Sequence, residues 1–105
     1  EITFSEAQRR AARLTADQER LISLIKTEFP KSAYSYKYAN YSQDSGYEFT
    51  FYDGAFSAEE APEKFRAILR RDKALWDAWE VKDVEKTGTV GKINYAAFRV
   101  AHIER

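Results

Sequence analysis

Between Tyr34 and Phe51 the chain alternates. Tyr34, Tyr36 and Tyr38 are separated by Ser35 and Lys37, and Tyr47, Phe49 and Phe51 by Glu48 and Thr50. Aromatic residues at a spacing of two belong on β-strands, where successive side chains point to opposite faces and β-favouring rings line one of them. Ser42-Gln43-Asp44-Ser45-Gly46 lies between the two runs and carries turn chemistry. The segment therefore predicts an antiparallel hairpin with one wide aromatic face. Any fold for this chain has to accommodate that face.

The flanks have a different period. Ala7, Ala11, Leu14, Leu21 and Ile25 recur at steps of three, four or seven, which is one stripe of a helix widened by Ile22 and Leu24. Ser5 with Gln8 and Thr15 with Gln18 have capping-box spacing, so the pattern allows one helix over about 5–28 or two meeting near Thr15. Pro30 ends the element either way. After Asp53-Gly54, Ser57 and Glu60 form another box and Pro62 suits a first helical position. Phe65, Ile68, Leu69, Leu75 and Trp76 then predict a second helix ending near Asp77. Trp79, Val81 and Asp83 in alternation with Val84 opposite, a turn at Lys86-Thr87-Gly88-Thr89, and alternating Ile93, Tyr95 and Ala97 predict a second hairpin. Phe98 and Val100 on the other side call for a bulge or a two-sided strand, and a C-terminal helix from Asn94 is the competing reading.

The expected fold is thus α+β in the order αββαββ. Two antiparallel hairpins form a sheet, helices pack on one face, and Leu21, Ile25, Phe65, Leu69 and Trp76 belong to the core. Residues 1–105 read as a single domain, since no linker divides them. Two halves, about 5–54 and 57–103, echo each other: Ser32–Lys37 precedes Asp77–Lys82 by 45 residues, and Gly46 precedes Gly91 by the same interval. Tandem duplication and chance both account for so few matches.

Composition narrows the function. Seventeen basic residues cancel seventeen acidic ones, so the overall basic excess typical of phosphate-gripping proteins is missing. Cysteine is absent, which removes disulfides, thiolate metal sites and thiol nucleophiles and favours a cytoplasmic setting. No apolar run approaches a membrane span, and no signal-peptide pattern is present. The lack of methionine predicts a processed or excised piece. A single histidine, His102, excludes zinc sites built on two or three histidines, and its place near the chain end argues against catalysis. Thr89–Tyr95 imitates half of an EF-hand loop. The ligand positions, however, fall on Lys86, Gly88, Val90 and Ala97, which hold no calcium. No metal, cofactor or enzymatic residue set is expected.

Two features carry the functional expectation. The first is the hairpin, whose Tyr34, Tyr36, Tyr38, Tyr41, Tyr47 and Tyr52 bring hydroxyls that a dry core does not need. Its plainest role is core packing. Its functional role is a partner surface, because tyrosine concentrates at protein interfaces. The second feature is Lys64, Arg66, Arg70, Arg71 and Lys73 on the second helix, either a solvated face or a phosphate-binding patch. Arg9, Arg10 and Arg13 on the first helix have the same two readings. Asp53, Glu59, Glu60 and Glu63 gather where a helix N-terminus favours carboxylates, which explains them without a reaction. The expectation is a non-catalytic protein-binding module (inhibitor, immunity-type, adaptor or assembly domain) that binds another protein or itself. The alternative is an RNA- or DNA-binding domain, or a small ribonuclease that uses the basic helix and the tyrosines.

Overall fold

In the computed structural model the described residues are 3–40, 45–54 and 56–103. The first helix, α1 (Phe4–Glu28), is continuous. Thr3 caps it by accepting the Glu6 N–H at 3.2 Å, displacing the expected Ser5 box. Thr15 does not break it, because its hydroxyl donates to the Ala11 carbonyl at 3.0 Å and leaves the backbone ladder intact. Phe29 turns extended and Pro30 follows, so the helix stops where the sequence predicts. Only Leu21 and Ile25 are buried. Phe4 through Arg13 are exposed, so the first half of α1 lies off the body of the domain.

A short 3₁₀ turn leads into β1 (Tyr34–Asn40), which pairs antiparallel with β2 (Ser45–Tyr52). Tyr34 faces Phe51, Tyr36 faces Phe49 and Tyr38 faces Tyr47, so all six rings share one side as the alternation requires. The expected Ser57 box does not form. Instead Asp53 Oδ1 accepts the Ala58 N–H at 2.7 Å. The second helix is split into α2 (Ala61–Arg70) and α3 (Lys73–Ala78). Asp72 turns extended and caps α3 by accepting the Ala74 N–H, and this capping breaks the helix expected to run through to Asp77.

The remaining strands are β3 (Trp79–Val81), β4 (Lys86–Val90) and β5 (Ile93–His102), so the C-terminal segment is strand and not helix. The turn expected at Lys86–Thr89 lies within β4 instead. The chain reverses at Gly91-Lys92, where Gly91 supplies φ +63° and no non-glycine described residue has a positive φ. One sheet results, with β1-β2-β5 in sequence and both β3 and β4 on the far side of β5. Val81 opposes Val100 while Lys86 opposes Ala97, so four residues of that edge span two of β5. The intervening bulge still donates to β5, Lys82 N–H to Arg99 and Glu85 N–H to Ala97, each at 2.8 Å. The observed order is therefore α-β-β-α-α-β-β-β, within the expected α+β class.

All helices lie against the face carrying Phe49, Phe51, Phe98 and Val100. Phe65 from α2 meets Phe49 edge-on with ring centroids 5.0 Å apart. Trp76, expected in the core, is 41% exposed, and Trp79 is the buried indole at 1%. The break at Asp72 resets the helical phase, so α3 turns Leu75 and Ala78 inward and leaves Trp76 outside. Adding 49 to each number carries the pairs Lys37–Glu48 and Tyr38–Tyr47 onto Lys86–Ala97 and Thr87–Ala96. The same shift carries Phe49 onto its own partner, Phe98. The hairpins are thus related by an approximate two-fold axis through that pair, at an interval different from the 45-residue echo in the sequence.

Candidate functional site

The aromatic face is only partly used by the core. Tyr34, Tyr47, Phe49 and Phe51 are buried, but Tyr36 is 39% exposed and Tyr38 half-buried. The cause is position. β2 is flanked on both sides, whereas β1 is the last strand of the sheet, and the helices cover its rings incompletely. Tyr36 is held by its neighbours. Its ring stacks on Tyr34 at 6.2 Å and 23° and meets Tyr47 edge-on at 5.6 Å. An exposed ring fixed in this way loses little entropy when something packs on it. Burial pushes the Tyr34 and Tyr47 hydroxyls above the usual phenol range, with the neighbouring Tyr36 adding to both and Tyr38 to Tyr47. The Tyr38 hydroxyl is enclosed without a hydrogen-bond partner among the described residues.

Beside Tyr36 lies an opening of about 710 Å³, lined by Lys26, Lys31, Tyr34, Ser35 and Tyr36. Tyr34 and Tyr36 sit on one face of β1 and Ser35 on the other, so this opening runs over the outer edge of the strand. A second recess of about 440 Å³ continues along α1, between Thr15, Gln18, Glu19, Ile22, Ser23, Lys26 and Tyr47. Lys26 borders both, so a groove follows α1 from the centre of the aromatic face to the free edge. Lys26 comes from the last turn of α1 and Lys31 from the 3₁₀ turn that carries the chain into β1.

The other expected site residues are dispersed. Tyr52 is on the opposite face, where it pairs with Tyr95 at 6.5 Å, and Tyr41 lies outside the described residues. The basic run expected on one helix spans α2, its C-cap and α3, and it is engaged within the chain. Lys64 lies over the Phe56 ring and Arg70 over Trp76, each at 5.0 Å. Arg71 pairs with Glu28 at 3.3 Å and Lys73 with Asp77 at 2.6 Å. Arg66 bonds Glu63, the Val81 carbonyl at 2.8 Å and Asp83 at 2.9 Å. The hydrogen bond to Asp83 and that to Glu63 raise its pKa against desolvation. These cations point to different partners and do not converge. Arg9, Arg10 and Arg13 ride on the exposed half of α1.

His102 is not at a loose end of the chain. It is the last residue of β5, bonded through Nε2 to Asp17 at 2.8 Å and edge-on to Trp79 at 4.9 Å. Among the described residues, no cluster of three or more histidines and carboxylates could hold a metal ion. No helix among them is long and apolar enough to cross a membrane.

Sequence reasoning found the tyrosines but missed Lys26, whose place opposite β1 depends on how α1 crosses the sheet and leaves no local signal. The arrangement combines a strand edge that no other strand pairs with among the described residues, a rigid aromatic wall and two lysines. That combination suits the capture of a chain segment. No protein-family model matches the chain, and neither does any curated protein or solved structure.

Proposed function

We propose that this domain is a non-catalytic protein-binding module that docks its partner on the β1 side of the aromatic hairpin. The observation that carries the reading is the half-exposed Tyr36 ring, fixed by buried rings and set at the mouth of an open groove. Pre-positioned tyrosine at the centre of a concave surface is the usual anatomy of an interface anchor. The nucleic-acid reading has less support, because the cations it would use on α2, at its C-cap and on α3 are occupied by carboxylates, a carbonyl or rings.

The test is quantitative co-purification from native-host lysate with three forms of the chain: unaltered, Tyr36→Ala and Trp76→Ala. The expected result is a protein retained by the unaltered and Trp76→Ala forms and lost with Tyr36→Ala. Recovery of nucleic acid alone, or a protein set indifferent to Tyr36→Ala, would overturn the reading.

A further inference from the structure

Resting on that reading, we infer that the partner is an extended, acidic segment of another protein, which adds to the sheet as a strand along the outer edge of β1. Strand addition needs an edge whose backbone groups are free, and among the described residues no strand pairs with the outer edge of β1. Proteins usually blunt such edges with proline, bulges or lysine. β1 contains no proline, and its register with β2 runs without interruption from Tyr34 to Asn40. Its one lysine, Lys37, is drawn towards β2 by Glu48 at 3.2 Å. The opposite edge is protected in the ordinary way, being cut into β3 and β4 by the bulge at 82–85. One edge of the sheet is thus broken up and the other is long, regular and open.

The charge of the guest follows from the groove. Lys26 and Lys31 line the opening, and neither forms an ion pair among the described residues. A docked strand carrying Asp or Glu on the side facing α1 supplies that partner. Its alternate side chains pack on Tyr36. A second copy using the same edge fits poorly. β1 carries no acidic residue, and pairing centred on its middle residue sets Lys37 opposite Lys37.

The test is selection of a random library of short linear peptides against the full chain, followed by synthesis of the selected peptides. Acidic, β-favouring sequences are expected. Their binding should protect previously fast-exchanging β1 amides in hydrogen-exchange NMR, and N-methylation of alternate peptide amides should abolish it. The charge-reversed variant Lys26→Glu/Lys31→Glu, checked for folding by circular dichroism, should bind them about tenfold more weakly. Neutral or basic peptides binding equally well, or protection elsewhere than β1, would overturn the acidic-strand inference while leaving a Tyr36-dependent protein surface standing. Concentration-dependent self-association with the same β1 protection would make a second copy the occupant. Binding of single-stranded RNA homopolymer with no peptide selected would overturn both this inference and the reading it rests on.

Discussion

His102 Nε2 lies 2.8 Å from Asp17 Oδ2, joining the end of the last strand to the middle of the first helix across 85 residues of sequence. Both side chains are largely shielded from water. The bond sits where α1 leaves the sheet, so it anchors the half of the helix that continues outward. Asp17→Ala or His102→Ala leaves one polar group enclosed without its partner. Either change should cost about 1–3 kcal/mol in urea unfolding, and the double variant little more than the worse single one. Amide exchange in the first half of α1 should rise in all three.

Two glycines should respond in opposite ways to the same substitution. A Cβ on Gly46 would fall 2.2 Å from the Val100 carbonyl oxygen, a backbone atom fixed by the β2–β5 ladder. Gly46→Ala should therefore destabilise by about 2–3 kcal/mol or prevent folding, because the strands cannot part without losing their pairing. A Cβ on Gly54 meets nothing within 4 Å. Gly54→Ala should be neutral or stabilising by up to about 1 kcal/mol, since it narrows only the unfolded ensemble. Thermal melts of the two variants side by side check the pair.

The raised pKa values of Tyr34 and Tyr47 predict loss of stability in alkali. Folding holds these phenol protons more tightly than the unfolded chain does. Their contribution is therefore complete below the ordinary tyrosine pKa of 10.0 and is lost as pH rises through the higher folded values. The melting temperature should fall above about pH 10, and Tyr47→Phe should make that fall shallower. Phenolate absorbance should show two tyrosines titrating late, together with unfolding.

The two tryptophans should separate cleanly. Trp79 is fully enclosed against Tyr47 and His102, and Trp79→Ala should cost about 3–5 kcal/mol. Trp76 is exposed on α3 beneath Arg70, and Trp76→Ala should cost about 1 kcal/mol or less. Fluorescence checks the environments first. Trp76→Phe should leave a blue-shifted emission from Trp79, and Trp79→Phe a red-shifted one from Trp76.

The first hairpin was legible because its signal is local: alternation over a few residues places the rings on one face whatever the rest of the chain does. Helix α1 was legible as a stripe, but the stripe says nothing about how much of it finds a surface, and Ala7 and Ala11 are left in water. Trp76 belongs to the core stripe of one continuous helix, but a cap at Asp72, one hydrogen bond among many that the sequence permits, shifts the phase of α3 and leaves Trp76 in water. The composition of Lys86–Thr89 points to a turn there, whereas the reversal needs the positive φ that Gly91 provides. For the candidate site, Tyr36 and Tyr38 were visible, but nothing near them marked one as exposed and the other as enclosed.

Sequence alone determined the class of fold, the hairpin and its shared aromatic face, since these depend on the period of side chains along one segment of backbone. Tertiary structure alone decided which ring stays in water, which edge stays open and which lysines border it. Those outcomes depend on where strands distant in sequence add to the sheet and on the path of α1 across it. Pairing between distant segments is chosen by the packing of the whole chain, and no single segment encodes it.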